Sequence, residues 1–167
     1  MAFGAPSLKG RALRYLAQRE HSRVELARKL RRFTEAGEGI DAALDELAAH
    51  GLLSDERAAA SVLIHQAPRS GQRRLKQILQ NKGLAPDLVA STLAQASGSE
   101  LERAQAMWQR RYGAAPQDAR ERQRQMRFLQ GRGFGFDVVA QVMRRAGVSD
   151  PAADCRDDSS DCADCDN

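Results

Sequence analysis

The segment LQNKGLAPDLVASTLAQA, residues 79–96, lies without gaps over LQGRGFGFDVVAQVMRRA, residues 129–146, with identical Leu, Gln, Gly, Asp, Val and Ala positions and Lys82 over Arg132. A shift of 49 the other way sets Leu30, Ile40 and Leu44 on Leu79, Val89 and Leu93. A period of 49 to 50 residues, present three times, marks tandem units. A unit of that size buries too little surface to be comfortably stable by itself, so neighbours must stack and share core. This predicts an elongated, curved body with long exposed faces.

Within each unit the punctuation predicts three helices. The first helix fits residues 8–19, where Leu8, Ala12, Tyr15 and Leu16 share a face. Ser22 and Glu25 have the spacing of a capping box and open a helix that buries Leu26, Leu30 and Phe33. The third covers residues 38–50, with Ile40, Ala43, Leu44 and Leu47 on one face, and Gly51 stops it. Ser54, followed by Asp55 and Glu56, starts the fourth, which ends near Pro68. Residues 71–82 carry Leu75, Ile78 and Leu79, and Pro86 leads a helix with Leu88, Val89, Thr92 and Leu93. Ser99 and Glu102 form a second capping box, ahead of Leu101, Ala104, Trp108 and Tyr112. Pro116 opens a stretch to about Gln130, and the last helix runs from Phe136 to Ala146 with Gly147 closing it. No run alternates β-branched with polar residues, so the fold class expected is all-α. Three three-helix units are expected at residues 8–53, 54–98 and 99–149, followed by a disordered acidic tail at 150–167.

Charge divides the chain at the same place. Residues 1–149 hold 25 Lys and Arg against 15 Asp and Glu, whereas residues 150–167 hold one Arg against seven Asp. Of the body's cations, 21 are Arg, the side chain suited to bidentate contact with phosphate or carboxylate. A polyanion or an acidic protein surface is the partner this balance implies. All three cysteines, Cys155, Cys162 and Cys165, lie in the tail. Their single C-x-x-C has no second pair and no nearby His, which argues against a metal site. The tail is expected to fold back over the basic body and weaken binding there. No apolar run reaches the roughly 20 residues of a membrane span, and the N-terminus lacks the apolar core of a signal peptide, so a cytoplasmic protein is expected.

The three glycines of GRGFGFD, residues 131–137, raise the possibility of a phosphate loop. Such a loop needs a buried strand ahead of it, and none precedes residue 131. In the repeat, Gly133 falls on Gly83, the helix stop, so the segment is a joint between helices. His21, His50 and His65 are isolated, and the body has no cysteine for nucleophilic work. No catalytic residue, metal or cofactor is expected, and neither is a small-molecule substrate.

Basic side chains cluster by position. Arg69, Arg73, Arg74 and Lys76 crowd the start of the fifth helix. Arg120, Arg124 and Arg127, spaced four and three apart, form a ridge on the eighth. Arg110 and Arg111 end the seventh helix, Arg144 and Arg145 end the ninth, and Lys82 and Arg132 occupy equivalent joints. Arg at a helix C-terminus serves the helix dipole in any protein. The surplus of the whole set exceeds that need and fits binding to a filament or to nucleic acid. Few aromatics are available to stack bases, so the DNA contact expected is weak and independent of sequence.

ALRYLAQREHSRVELARKL, the pattern I-x-x-x-L-x-x-L-x-x-x-G-L-L-S-D-E-R-A from Ile40, and SGQRRLKQILQNKGL together resemble the bacterial regulatory family RecX. The likeness spans about residues 8–147 in order. It departs at Ala58, where that family often carries an aromatic, and in the Cys/Asp tail. The resemblance implies a modulator, usually an inhibitor, of the RecA recombinase in DNA repair and the SOS response. Such proteins are thought to lie in the groove of the RecA filament on DNA and to hinder strand exchange, ATP hydrolysis or filament extension. A second reading takes residues 22–53 as a winged helix-turn-helix and makes the chain a DNA-binding transcriptional regulator. Its recognition helix, residues 38–50, would hold IDAALDELAAH, with three acids and no Lys or Arg.

Overall fold

The computed structural model describes residues 6–35, 37–96 and 99–147. Among the described residues nine α-helices follow one another: α1 (Leu8–Leu16), α2 (Arg23–Leu30), α3 (Ile40–Ala49), α4 (Asp55–Gln66), α5 (Gln72–Asn81), α6 (Pro86–Ala94), α7 (Glu100–Arg111), α8 (Ala119–Gly131) and α9 (Phe136–Arg145). Short 3₁₀ turns at Arg31–Phe33 and Ala67–Arg69 follow α2 and α4. Among the described residues there is no strand.

Side chains set most helix starts. The hydroxyls of Ser7, Ser22, Ser54 and Ser99 and the carboxylate of Asp118 each accept a hydrogen bond from an amide three residues on, which satisfies one otherwise orphaned donor. Ser99 and Glu102 complete the reciprocal capping box. Asp118, not Pro116, begins α8, because its carboxylate takes the Glu121 amide at 2.6 Å. Glu25 also departs from the expected box. It turns away from the Ser22 backbone toward the cations of Arg19 and Lys82, whose charges outweigh one more amide.

Three groups of side chains close off from water. Ala12, Leu26, Leu30, Ile40, Leu44, Leu47 and Leu53 form the first. Ala59, Val62, Ala67, Leu75, Leu79, Leu84 and Val89 form the second. The third gathers Trp108, Leu129, Phe134, Val139 and Met143 among others. The repeat register is the core register: Leu30, Leu79 and Leu129 are all fully buried, as are Ile40, Val89 and Val139 to within a few per cent. Phe33 breaks the pattern. The chain tightens into the 3₁₀ turn after Leu30, so the ring swings to the surface, where the Arg11 guanidinium covers it 4.1 Å from the centroid.

The third core carries one buried polar pair that periodicity does not announce. Trp108 Nε1 donates to Gln125 Oε1 at 2.7 Å, and Gln125 is 3% exposed. Gln125→Leu keeps the bulk but leaves the indole N–H without its acceptor, a loss of about 1–3 kcal/mol. Trp108 is the sole tryptophan, so its fluorescence in a urea titration reads the effect directly. An unchanged midpoint would show that the bond adds nothing.

Candidate polyanion-binding surface

Two inter-helix joints of related sequence connect the cores. The first, residues 82–85 between α5 and α6, sits on the start of α2. Ser22 Oγ donates to the Lys82 carbonyl, and Lys82 Nζ reaches Glu25 Oε2 at 2.6 Å. Gly83 has φ +72°, and a Cβ there would lie 2.6 Å from Val24 Cβ, so glycine is required both for the turn and for the approach. Arg23 N donates to Asp55 Oδ1 at 2.8 Å, and Arg57 Nε meets Glu20 Oε1 at 2.9 Å, which ties α4 to the same edge.

The second joint, residues 132–135 between α8 and α9, repeats this docking on the start of α5. Gly71 N donates to the Arg132 carbonyl at 3.0 Å and Arg73 N to the Gly133 carbonyl at 3.2 Å. GRGFGFD is therefore a helix joint that also fastens one core to the next. The two joints differ in charge. Shifted by 49, Glu25 falls on Arg74, while Lys82 falls on Arg132 at 50. The acid that neutralises the first joint is an arginine in the second.

Arg132 turns instead over the Phe128 ring, 5.4 Å from its centroid, and opens onto a cavity of about 590 Å³. Arg69 from the turn after α4 and Arg110 and Arg111 from the end of α7 line the same cavity, over a floor of Met107, Phe128 and Pro68. Among the described residues, none of these four guanidiniums makes an ion pair. Arg74 stands beside them, with Nη1 3.4 Å from the Gly131 carbonyl.

The other basic residues lie apart or are already paired. Arg120, Arg124 and Arg127 line a separate cavity of about 690 Å³, but Asp118 and Glu121 share it, and Arg124 Nη2 meets Glu121 Oε1 at 2.9 Å. Lys82 is committed to Glu25. Arg73, Lys76 and Arg144 are exposed, and Arg145 Nη1 donates to Gln105 Oε1 at 3.0 Å. The helix α3 presents acids: Asp41 and Asp45 pair with Arg23, and Glu46 pairs with Lys9. A DNA-reading role for that helix finds no cation to carry it.

His21 and Glu25, read from sequence as a lone histidine and a cap, belong to the first joint. Burial pushes the Glu25 carboxyl up, but hydrogen bonds and charge from Arg19 and Lys82 outweigh it and hold the pKa at about 2. His21 is 1% exposed and packs edge-on to Tyr15. Its Nδ1 lies 3.2 Å from Glu25 Oε1 without hydrogen-bond geometry. Burial and then the Arg19 charge lower its pKa from 6.5, against the pull of Glu25. Both folded-state values are depressed, so both groups bind fewer protons folded than unfolded. Stability should be full above about pH 6.5, fall first as His21 is forced to charge, and fall further from about pH 4.5 toward 2 as Glu25 is protonated. Denaturant titrations across pH 7 to 3 test this, and Glu25→Gln should flatten the lower part of the curve.

Among the described residues no group of His, Cys, Asp and Glu is arranged to hold a metal ion, and no helix is long and apolar enough to cross a membrane. The cysteines and the acidic tail lie outside the described residues.

The family model for the first three-helix domain of RecX matches residues 9–47, and that for the third matches residues 99–143. The regulatory protein RecX of Leptothrix cholodnii is 52% identical over 140 residues, covering 84% of this chain and 89% of that protein. The RecX of Herminiimonas arsenicoxydans is 43% identical over 138 residues, covering 83% and 91%. The crystal structure of RecX from Lactobacillus salivarius superimposes with a TM-score of 0.69 at 19% identity, over 84% of this chain and 94% of that one, which shows a shared fold. Identity of 43–52% over more than four fifths of the chain places it in the RecX family of regulatory proteins.

Proposed function

We propose that this chain regulates the RecA recombinase by binding RecA and its nucleoprotein filament on DNA, and that the outcome is inhibition of strand exchange and of ATP hydrolysis in DNA repair and the SOS response. Membership of a regulatory family supports the reading, and the observation that carries it is the four-arginine cavity at the second joint, a site built for an anionic partner. Three stacked units, residues 8–53, 54–98 and 99–149, would present this cavity and the Arg120–Arg127 ridge along an extended partner. The chain performs no chemistry in this scheme and takes no cofactor. It acts where RecA acts, in the cytoplasm.

Purified protein should be retained by immobilised RecA assembled on single-stranded DNA with a nucleoside triphosphate, more than by RecA alone, and should slow strand exchange at modest ratios. If recombinase filaments are ignored while one duplex sequence is bound selectively, the transcriptional-regulator reading replaces this one.

A further inference from the structure

Four guanidiniums around one cavity repel one another, and an anion seated among them relieves that repulsion. Several other cationic groups of the body already have carboxylates nearby: Arg19 and Lys82 share Glu25, Arg23 holds Asp41 and Asp45, and Arg124 holds Glu121. The chain itself supplies an anion, because residues 150–166 contain seven Asp and one Arg.

We propose that this acidic segment seats in the cavity formed by Arg69, Arg110, Arg111 and Arg132 and so competes with the polyanion the cavity otherwise binds. Reach permits it. Arg145, at the end of α9, bonds Gln105 of α7, only five residues from Arg110, or roughly 8 Å along the helix. From Gly147, Asp154 to Asp158 extend to roughly 23–36 Å. A tether this short keeps the segment at an effective concentration of about millimolar, enough for weak contacts to compete. The ridge at Arg120–Arg127 is the poorer seat, since Asp118 and Glu121 oppose it. The inference rests on reading the cavity as a polyanion site.

The native cysteines provide the test. Cys155, Cys162 and Cys165 are the chain's only thiols, so a maleimide photo-crosslinker attached to the full chain labels this segment alone. Cross-links should concentrate on the last turns of α7 and α8 at low salt and vanish at about 1 M, where screening is nearly complete. Scattered cross-links, or a concentration on the Arg120–Arg127 face, would overturn the seating whether or not RecA or DNA is bound. In a second arm, changing all seven Asp to Asn in the full chain should tighten binding of an oligo(dT) probe about tenfold. The same change beside Arg→Gln at the four cavity positions should give no gain. An equal gain there would mean that the tail acts through net charge rather than through this cavity. If no full chain binds oligo(dT), the polyanion reading fails on its own terms, and the cross-link map still decides the seating.

Discussion

Gly71→Ala should loosen the second joint and cost about 3 kcal/mol, the upper end of what overpacking a closed interface exacts. A Cβ at residue 71 would stand 2.3 Å from the Gly133 carbonyl oxygen and 2.4 Å from the Phe134 nitrogen. Both are backbone atoms that cannot swing aside, and the Gly71–Arg132 and Gly133–Arg73 hydrogen bonds lie on the same contact. Gly133→Ala adds left-handed strain at φ +86° and a collision with Arg74 Cβ at 2.4 Å. Gly131→Ala is the contrast: it has nothing within 4 Å, and alanine in the last turn of α8 should be neutral or stabilising by up to about 1 kcal/mol. Because Trp108 reports on the third core alone, Gly71→Ala should also separate the fluorescence transition from the loss of helix signal. Coincident, unshifted transitions would mean that the joint does not couple the cores.

Changing Arg69, Arg110, Arg111 and Arg132 together to Gln should weaken binding to single-stranded DNA and to the RecA filament by roughly a hundredfold at moderate salt. On a single strand each lost phosphate contact lowers the slope of log affinity against log salt by roughly 0.7, or about 3 for the set. Changing Arg120, Arg124 and Arg127 should remove less than half of that, because Glu121 already holds Arg124. Titration of a labelled oligonucleotide at several salt concentrations separates the two. An unaltered slope in the first variant would remove the cavity from the binding surface. The fold should be retained, since the joint is held by the Arg132 backbone carbonyl and its side chain covers only the outer face of Phe128.

The 49-to-50-residue repeat together with the capping signals is enough, without coordinates, to set the helix count, the core positions Leu30, Leu79 and Leu129, and the identity of GRGFGFD as a joint. Helical period and core burial are local and repetitive, so they write themselves into one dimension. Phe33, Gln125 and the Glu25 cluster were misplaced or missed, because a tightened turn, a buried amide and a carboxylate held by two cations depend on neighbours from other helices. Sequence likewise named thirteen basic residues and left them as one list. Their sorting belongs to the tertiary structure. The docking of each joint on the preceding unit pairs Lys82 with Glu25, sets Arg132 opposite an arginine, and gathers it with three others from distant turns. Electrostatic energy depends on distance through space and on which charges are already answered, and neither quantity exists until the units are stacked.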